Sequence, residues 1–140
     1  PDDRFVTGFF GLLDASAHKV RFHSGGQGPI MHYHAATNSY DWHPATTFPL
    51  GYMPQTDLAA PLELALAPGD ILGLISDGIY EYEDEDGVQF GHDGVARVID
   101  SLPDGSAEDV VAEIMRSVRK HGGSMPQADD ITIVLARRSH

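Results

Sequence analysis

Cysteine is absent from this 140-residue sequence. That excludes a disulfide framework and any thiolate metal site, and it agrees with a cytoplasmic home. Basic residues are scarce: 9 Lys and Arg stand against 21 Asp and Glu, for a formal net charge of -12. Such an excess repels phosphate backbones and anionic lipid heads unless metal ions intervene, so nucleic acid is not an expected partner. No run approaches the roughly 18 consecutive apolar residues of a membrane span, and the start lacks a basic segment followed by an apolar signal core. Membrane insertion of this segment is therefore not expected either. There is no internal repeat and, apart from one acidic run, no low-complexity stretch.

What is present suits one globular unit over residues 1–140, because 41% of the residues are hydrophobic and can fill a single core. The chain opens on Pro1 and enters a strand-like run at residues 5–13 almost at once, as expected of an excerpt from a longer polypeptide. In the first half, short apolar runs alternate with turn clusters, the punctuation of antiparallel strands. Val20 and Phe22 alternate with polar neighbours in residues 19–23, a half-buried strand. The loop Gly25-Gly26-Gln27-Gly28-Pro29 follows, and residues 30–34 are expected to return as the partner strand. After a turn at Asn38-Ser39, residues 62–66 alternate again, Pro68-Gly69-Asp70 turns the chain, and residues 71–75 are apolar on both faces, as in a central strand.

Helical spacing arrives late. Val95, Val98, Ile99 and Leu102 predict a helix from Gly94 to the break at Pro103-Asp104-Gly105. Ser106 is a candidate N-cap for a second helix, with Val110, Val111, Ile114, Met115 and Val118 as its buried stripe and basic residues before Gly122. Residues 131–135 close the chain as a strand. Strands first and helices later indicate an α+β fold.

Two features share one design: Ser76-Asp77-Gly78 follows the apolar strand, and Asp129-Asp130 precedes the last one. Both set carboxylates at strand ends. Hard divalent cations such as Mn2+ or Mg2+ take oxygen ligands, and two of them can acidify a water and neutralise a phosphoryl group undergoing in-line displacement. Taken alone, each motif also reads as an Asp-Gly turn or a solvated acidic loop.

The ordered set Phe10-Gly11-Leu12-Leu13-Asp14, Ser24-Gly25-Gly26-Gln27-Gly28-Pro29, Phe48-Pro49-Leu50-Gly51, Leu66-Ala67-Pro68-Gly69-Asp70, Ser76-Asp77-Gly78-Ile79-Tyr80-Glu81, Phe90-Gly91 and Asp129-Asp130-Ile131-Thr132 resembles the C-terminal part of a SpoIIE/RsbU-type protein phosphatase 2C (PP2C) domain. The resemblance implies part of a four-layer α-β-β-α sandwich with two antiparallel sheets and the metals at one edge between them. It implies a cytoplasmic serine/threonine phosphatase that uses two divalent cations, Mn2+ or Mg2+, and acts by metal-activated water without a phosphoenzyme. The implied substrate is a signalling phosphoprotein of the anti-sigma-factor antagonist type, and upstream sensor or receiver domains would leave room for a homodimer. By the same resemblance Asp77 and Asp129 are metal ligands and Asp130 is the neighbour that serves if the register slips by one. The family's earlier Asp-x-x-Gly-His-Gly-like segment, whose aspartate bridges both metals, does not occur in this sequence, and its glycine turn is usually close to Asn-Ala-Gly-His-Asn-Pro, of which residues 24–29 are a variant.

Two other readings compete. Gly26 followed by His32-Tyr33-His34 resembles the start of a cupin metal motif, although Asn38-Ser39 stands where a glutamate is expected and no third histidine follows Pro68-Gly69-Asp70. The plain reading makes His32 and His34 polar positions on an exposed strand face. A non-catalytic interaction module of the same phosphatase fold is the other. Residues 81–87, Glu81-Tyr82-Glu83-Asp84-Glu85-Asp86-Gly87, read as a solvated hairpin tip rather than a calcium loop or a docking patch for a basic partner. His18, His23, His43, His92, His121 and His140 show no ligand spacing and are read as surface or satisfied residues. Trp42 with Tyr40 pins a strand, and Ser76 and Thr132 are expected to serve local hydrogen bonding rather than nucleophilic attack.

Overall fold

Alternation along the chain builds the sheets, and the computed structural model describes them over residues 4–54 and 60–139. Strands β1 (Gly8–Asp14), β2 (Lys19–Gly25) and β5 (Leu62–Ala65) form a three-stranded sheet in the order β1-β2-β5. Strands β3 (Ile30–His34), β4 (Ser39–His43), β6 (Ile71–Ile75) and β7 (Ile133–Arg137) form a second sheet in the order β4-β3-β6-β7. Every pairing is antiparallel. The expectation that residues 30–34 return against residues 19–23 is corrected: β3 pairs with β4 and β6. The intervening turn, with Gly26 at φ 67°, carries the chain from one sheet to the other.

The central place of β6 follows from its composition, since a strand with neighbours on both edges and layers on both faces must be apolar throughout. On one face Ile71 and Ile75 join Met31, Tyr33 and residues of helices α2 (Gly91–Ser101) and α3 (Ala107–Gly122) in the larger core. On the other, Leu72 joins Ile30, Val20, Phe22 and Leu66 between the sheets. The described residues thus form three layers, helices on sheet on sheet. Among them no helix lies on the outer face of the three-stranded sheet, where Phe10 and Leu12 are exposed. No described helix is long and apolar enough to cross a membrane.

The helices start where local chemistry sets them. Ser106 caps α3 through a reciprocal box, its Oγ accepting from Asp109 N–H while the Asp109 carboxylate accepts from Ser106 N–H. Helix α2 begins at Gly91 rather than Gly94, because its first turn is held by packing that the apolar spacing does not register: His92 stacks on Trp42 at 4.2 Å. The Tyr40 hydroxyl donates to Asp100 at 2.6 Å, and burial, reinforced by that carboxylate, pushes its pKa upward. Tyr40 and Trp42 therefore pin the β4 edge under α2. The acidic run forms a turn in which Asp84 Oδ1 accepts from the N–H groups of Asp86 and Val88.

His32 corrects a second expectation. It is 3% exposed and lies beside the equally buried Asp70, Nε2 to Oδ2 at 3.2 Å. Burial lowers its pKa, with the Asp70 hydrogen bond opposing. The two separate open sheets also differ from the closed barrel of a cupin. His140 lies outside the described residues.

Ile114 is fully buried between α3 and the four-stranded sheet. Ile114→Ala should cost about 2–5 kcal/mol, seen as a lower urea midpoint at unchanged slope. A loss below about 0.5 kcal/mol, the size of a surface substitution, would contradict this packing.

Candidate metal centre

Strand β6 ends at Ile75, and the next residue ties two distant parts of the chain together. The Ser76 hydroxyl donates to the Asp130 carbonyl at 3.1 Å and accepts from Thr132 N–H at 2.9 Å. Ser76 N–H donates to the Thr132 carbonyl at 3.0 Å. Because these bonds take up residues 130–132, regular β7 starts at Ile133 rather than at Ile131 as the apolar run predicts. Asp77 opens a single helical turn, α1 (Asp77–Tyr80). Gly78 then packs on the opposite loop so closely that a Cβ there would lie 2.4 Å from the Asp130 carbonyl oxygen. Glycine is required by that approach.

The consequence is that the two acidic motifs share one cleft of about 450 Å³. Ser76, Asp77, Asp129, Asp130 and Thr132 form one wall. The opposite wall comes from the other sheet, Thr7 to Phe9 at the start of β1 and Gly26 to Gly28 of the sheet-switching turn. That turn is itself anchored, with Ser24 fully buried and its carbonyl accepting from Thr46 and Thr47 N–H. The cleft therefore lies between the edges of the two sheets.

Its electrostatics are one-sided. The three aspartates are exposed, and no Lys or Arg is among the described residues that line the cleft. Asp129 Oδ1 accepts from Asp130 N–H at 2.7 Å, which orients that carboxylate. Three exposed carboxylates with no Lys or Arg among the described lining residues form a donor set that hard divalent cations match, since those ions take oxygen ligands and keep several waters. The oxygens of Asp77, Asp129 and Asp130 do not all fall within 4.8 Å of one another; among the described residues the groups that do are His32 with Asp41 and His43, and His32 with His34 and Asp70. Sequence spacing missed the group of His32, Asp41 and His43 because it arises from strand register. The Ser76 oxygen is engaged both as donor and as acceptor, which fits the hydrogen-bonding role read from the sequence rather than nucleophilic attack.

The family model for Stage II sporulation protein E (SpoIIE) matches residues 1–139. No curated protein matches the chain. Among solved structures, the SiaA PP2C domain of Pseudomonas aeruginosa superposes with a TM-score of 0.74 at 20% identity, over 92% of this chain and 50% of that one. The Mn-presoaked phosphatase domain of SpoIIE from Bacillus subtilis gives 0.69 at 22% identity, over 96% and 56%. The RsbU and RsbW domains of a Mycobacterium tuberculosis protein give 0.69 at 21%, over 95% and 37%. The chain thus spans between about a third and three fifths of those structures, and the likeness shows the fold: two antiparallel sheets with helices.

Gly78→Ala should push the Asp77 turn away from Asp130 and weaken Mn2+ binding by at least about tenfold, equivalent to roughly 1.4 kcal/mol, with the circular dichroism spectrum unchanged. Isothermal titration of the full chain checks this, and parental affinity in the variant would show that the close approach does not shape the site.

Proposed function

Because the chain belongs to the SpoIIE family, with PP2C-type phosphatase domains as its structural relatives, we propose that it is the C-terminal portion of one such domain and hydrolyses phosphoserine or phosphothreonine on a signalling phosphoprotein. The observation that carries this reading is the meeting of Asp77 with Asp129 and Asp130 in one cleft through the Ser76 clip. In this reading Asp77 and Asp129 are the metal ligands, Asp130 is auxiliary, and the ions are Mn2+ or Mg2+. The donor chemistry supports them, as does a relative studied in Mn-presoaked form.

Two divalent ions so held supply an acidified water and charge neutralisation at the phosphoryl group. The chain's own residues set the stage for that chemistry. Ser76 fixes the two aspartate-bearing loops relative to each other, and Gly78 lets them close to backbone contact. Asp130 N–H holds the Asp129 carboxylate in place. The backbone of Gly26 to Gly28 forms the facing wall without side-chain bulk at its two glycines, which leaves room for a phosphorylated side chain to enter.

A bridging carboxylate, expected from an Asp-x-x-Gly-His-Gly-like segment outside these residues, would complete the site. The substrate in this reading is a cytoplasmic partner of the anti-sigma-factor antagonist type, in keeping with the RsbU and RsbW domains joined in one relative.

The test is Mn2+-dependent release of phosphate from a phosphoserine protein by the full-length polypeptide. Asp77→Asn and Asp129→Asn should each lower kcat by on the order of 100-fold or more, as expected when charge stabilisation of the transition state is lost, and Asp130→Asn by less. Activity that survives both substitutions would sink the assignment, and metal binding without turnover in the complete protein would favour the interaction module instead.

A further inference from the structure

The β3/β4 hairpin carries a second set of metal-ligating side chains, on the face of the sheet opposite the helices. Its register pairs His32 with Asp41 and Ile30 with His43, so His32, Asp41 and His43 share one face of two neighbouring strands. One donor atom from each lies within 4.8 Å of the other two. None of the three lines the acidic cleft.

Two of the three are held by neighbours that would orient a ligand. His32 Nε2 lies 3.2 Å from Asp70 Oδ2, and Asp70 is itself fixed by the N–H groups of Ala35 and Ala67. A ligating imidazole commonly gives its other ring N–H to such a carboxylate. Asp41 Oδ2 lies 2.9 Å from His34 Nε2. His43 differs: its Nε2 is buried and has no hydrogen-bond partner among the described residues. Folded proteins rarely keep such an atom unsatisfied. An ordinary polar strand face accounts for exposed Asp41, yet it leaves the orphaned His43 nitrogen beside buried His32 unexplained.

His32, His34 and Asp70 also gather within 4.8 Å. An ion there would compete with the backbone donors that already occupy both Asp70 oxygens, whereas Asp41 and His43 leave those bonds intact. We propose that His32, Asp41 and His43 bind a zinc-class divalent cation, with Asp70 and His34 orienting two of the ligands. Two imidazoles and one carboxylate suit Zn2+ with water in a fourth position, while Mg2+ and Mn2+ favour oxygen donors. A tetrahedral site with ligands at about 2.1 Å needs donors roughly 3.4 Å apart, so closing the gathering asks for shifts of under about 1 Å from each side chain. The site would clasp the edge strand β4 to β3. It would also steady the segment from His43 to Thr47, which holds the Ser24 turn on the far wall of the acidic cleft. The proposal stands on the hairpin and does not depend on the phosphatase reading.

The test titrates the metal-stripped full chain with Co2+ in excess Mg2+, following the visible d–d bands of coordinated cobalt and the thermal midpoint with Zn2+. One Co2+ should bind per chain, Zn2+ should displace it, and Zn2+ should raise the midpoint. Asp41→Asn, at an exposed position that leaves folding intact, should weaken binding by on the order of 10–100-fold or more. His43→Ala should remove the bands, and Asp129→Asn should leave them unchanged. Absence of the bands, parental affinity in Asp41→Asn, or loss of the bands in Asp129→Asn would each overturn the proposal.

Discussion

One hydroxyl sets the geometry of the acidic cleft. Ser76 stands 54 residues before Asp130 in sequence, and its oxygen holds both the Asp130 carbonyl and the Thr132 N–H. A hydrogen bond of this kind contributes only about 1 kcal/mol net, so its importance lies in position rather than strength. It stops the β6/β7 ladder at the residues where the carboxylates sit, and Gly78 then allows the two loops to touch. The repulsion among three neighbouring aspartates is carried by a scaffold whose rigidity comes from apolar packing on both faces of β6.

That scaffold places the cleft at the edge of two packed layers. The helices bury the far face of the four-stranded sheet, and the three-stranded sheet closes over its near face. The cleft walls are thus strand ends and a glycine turn, elements that can hold donors at fixed separations. The outer face of the three-stranded sheet, with Phe10 and Leu12 exposed, is the one apolar layer that the described residues leave uncovered.

Much of this was legible in the residues. Apolar runs on both faces identified β6 as central, the spacing of Val95, Val98 and Ile99 located α2, and Ser106 with its acidic first turn located the start of α3. The order of the short motifs pointed to the phosphatase fold, and the two acidic motifs it singled out line one cleft. Pairing was harder to read, because local alternation says which residues share a face but not which strand lies alongside. The turn at residues 25–29 therefore read as a hairpin when it is a passage between sheets. For the same reason His32 read as exposed and His43 as unrelated to it, although register places them on one face. Ser76 and Thr132 read as serving local hydrogen bonding, but the tie of Ser76 to Asp130 and Thr132 across the sequence was not legible, since periodicity does not say which loop lies alongside.

In the proposed function, Asp77 and Asp129 share divalent cations. Anomalous diffraction at the manganese edge, from Mn2+-soaked crystals of the full chain, addresses it directly. Manganese peaks are expected in the cleft at coordination distance, about 2.2 Å, from carboxylate oxygens of both residues. Manganese bound elsewhere, or a cleft in which the two carboxylates face apart with no peak between them, would contradict it.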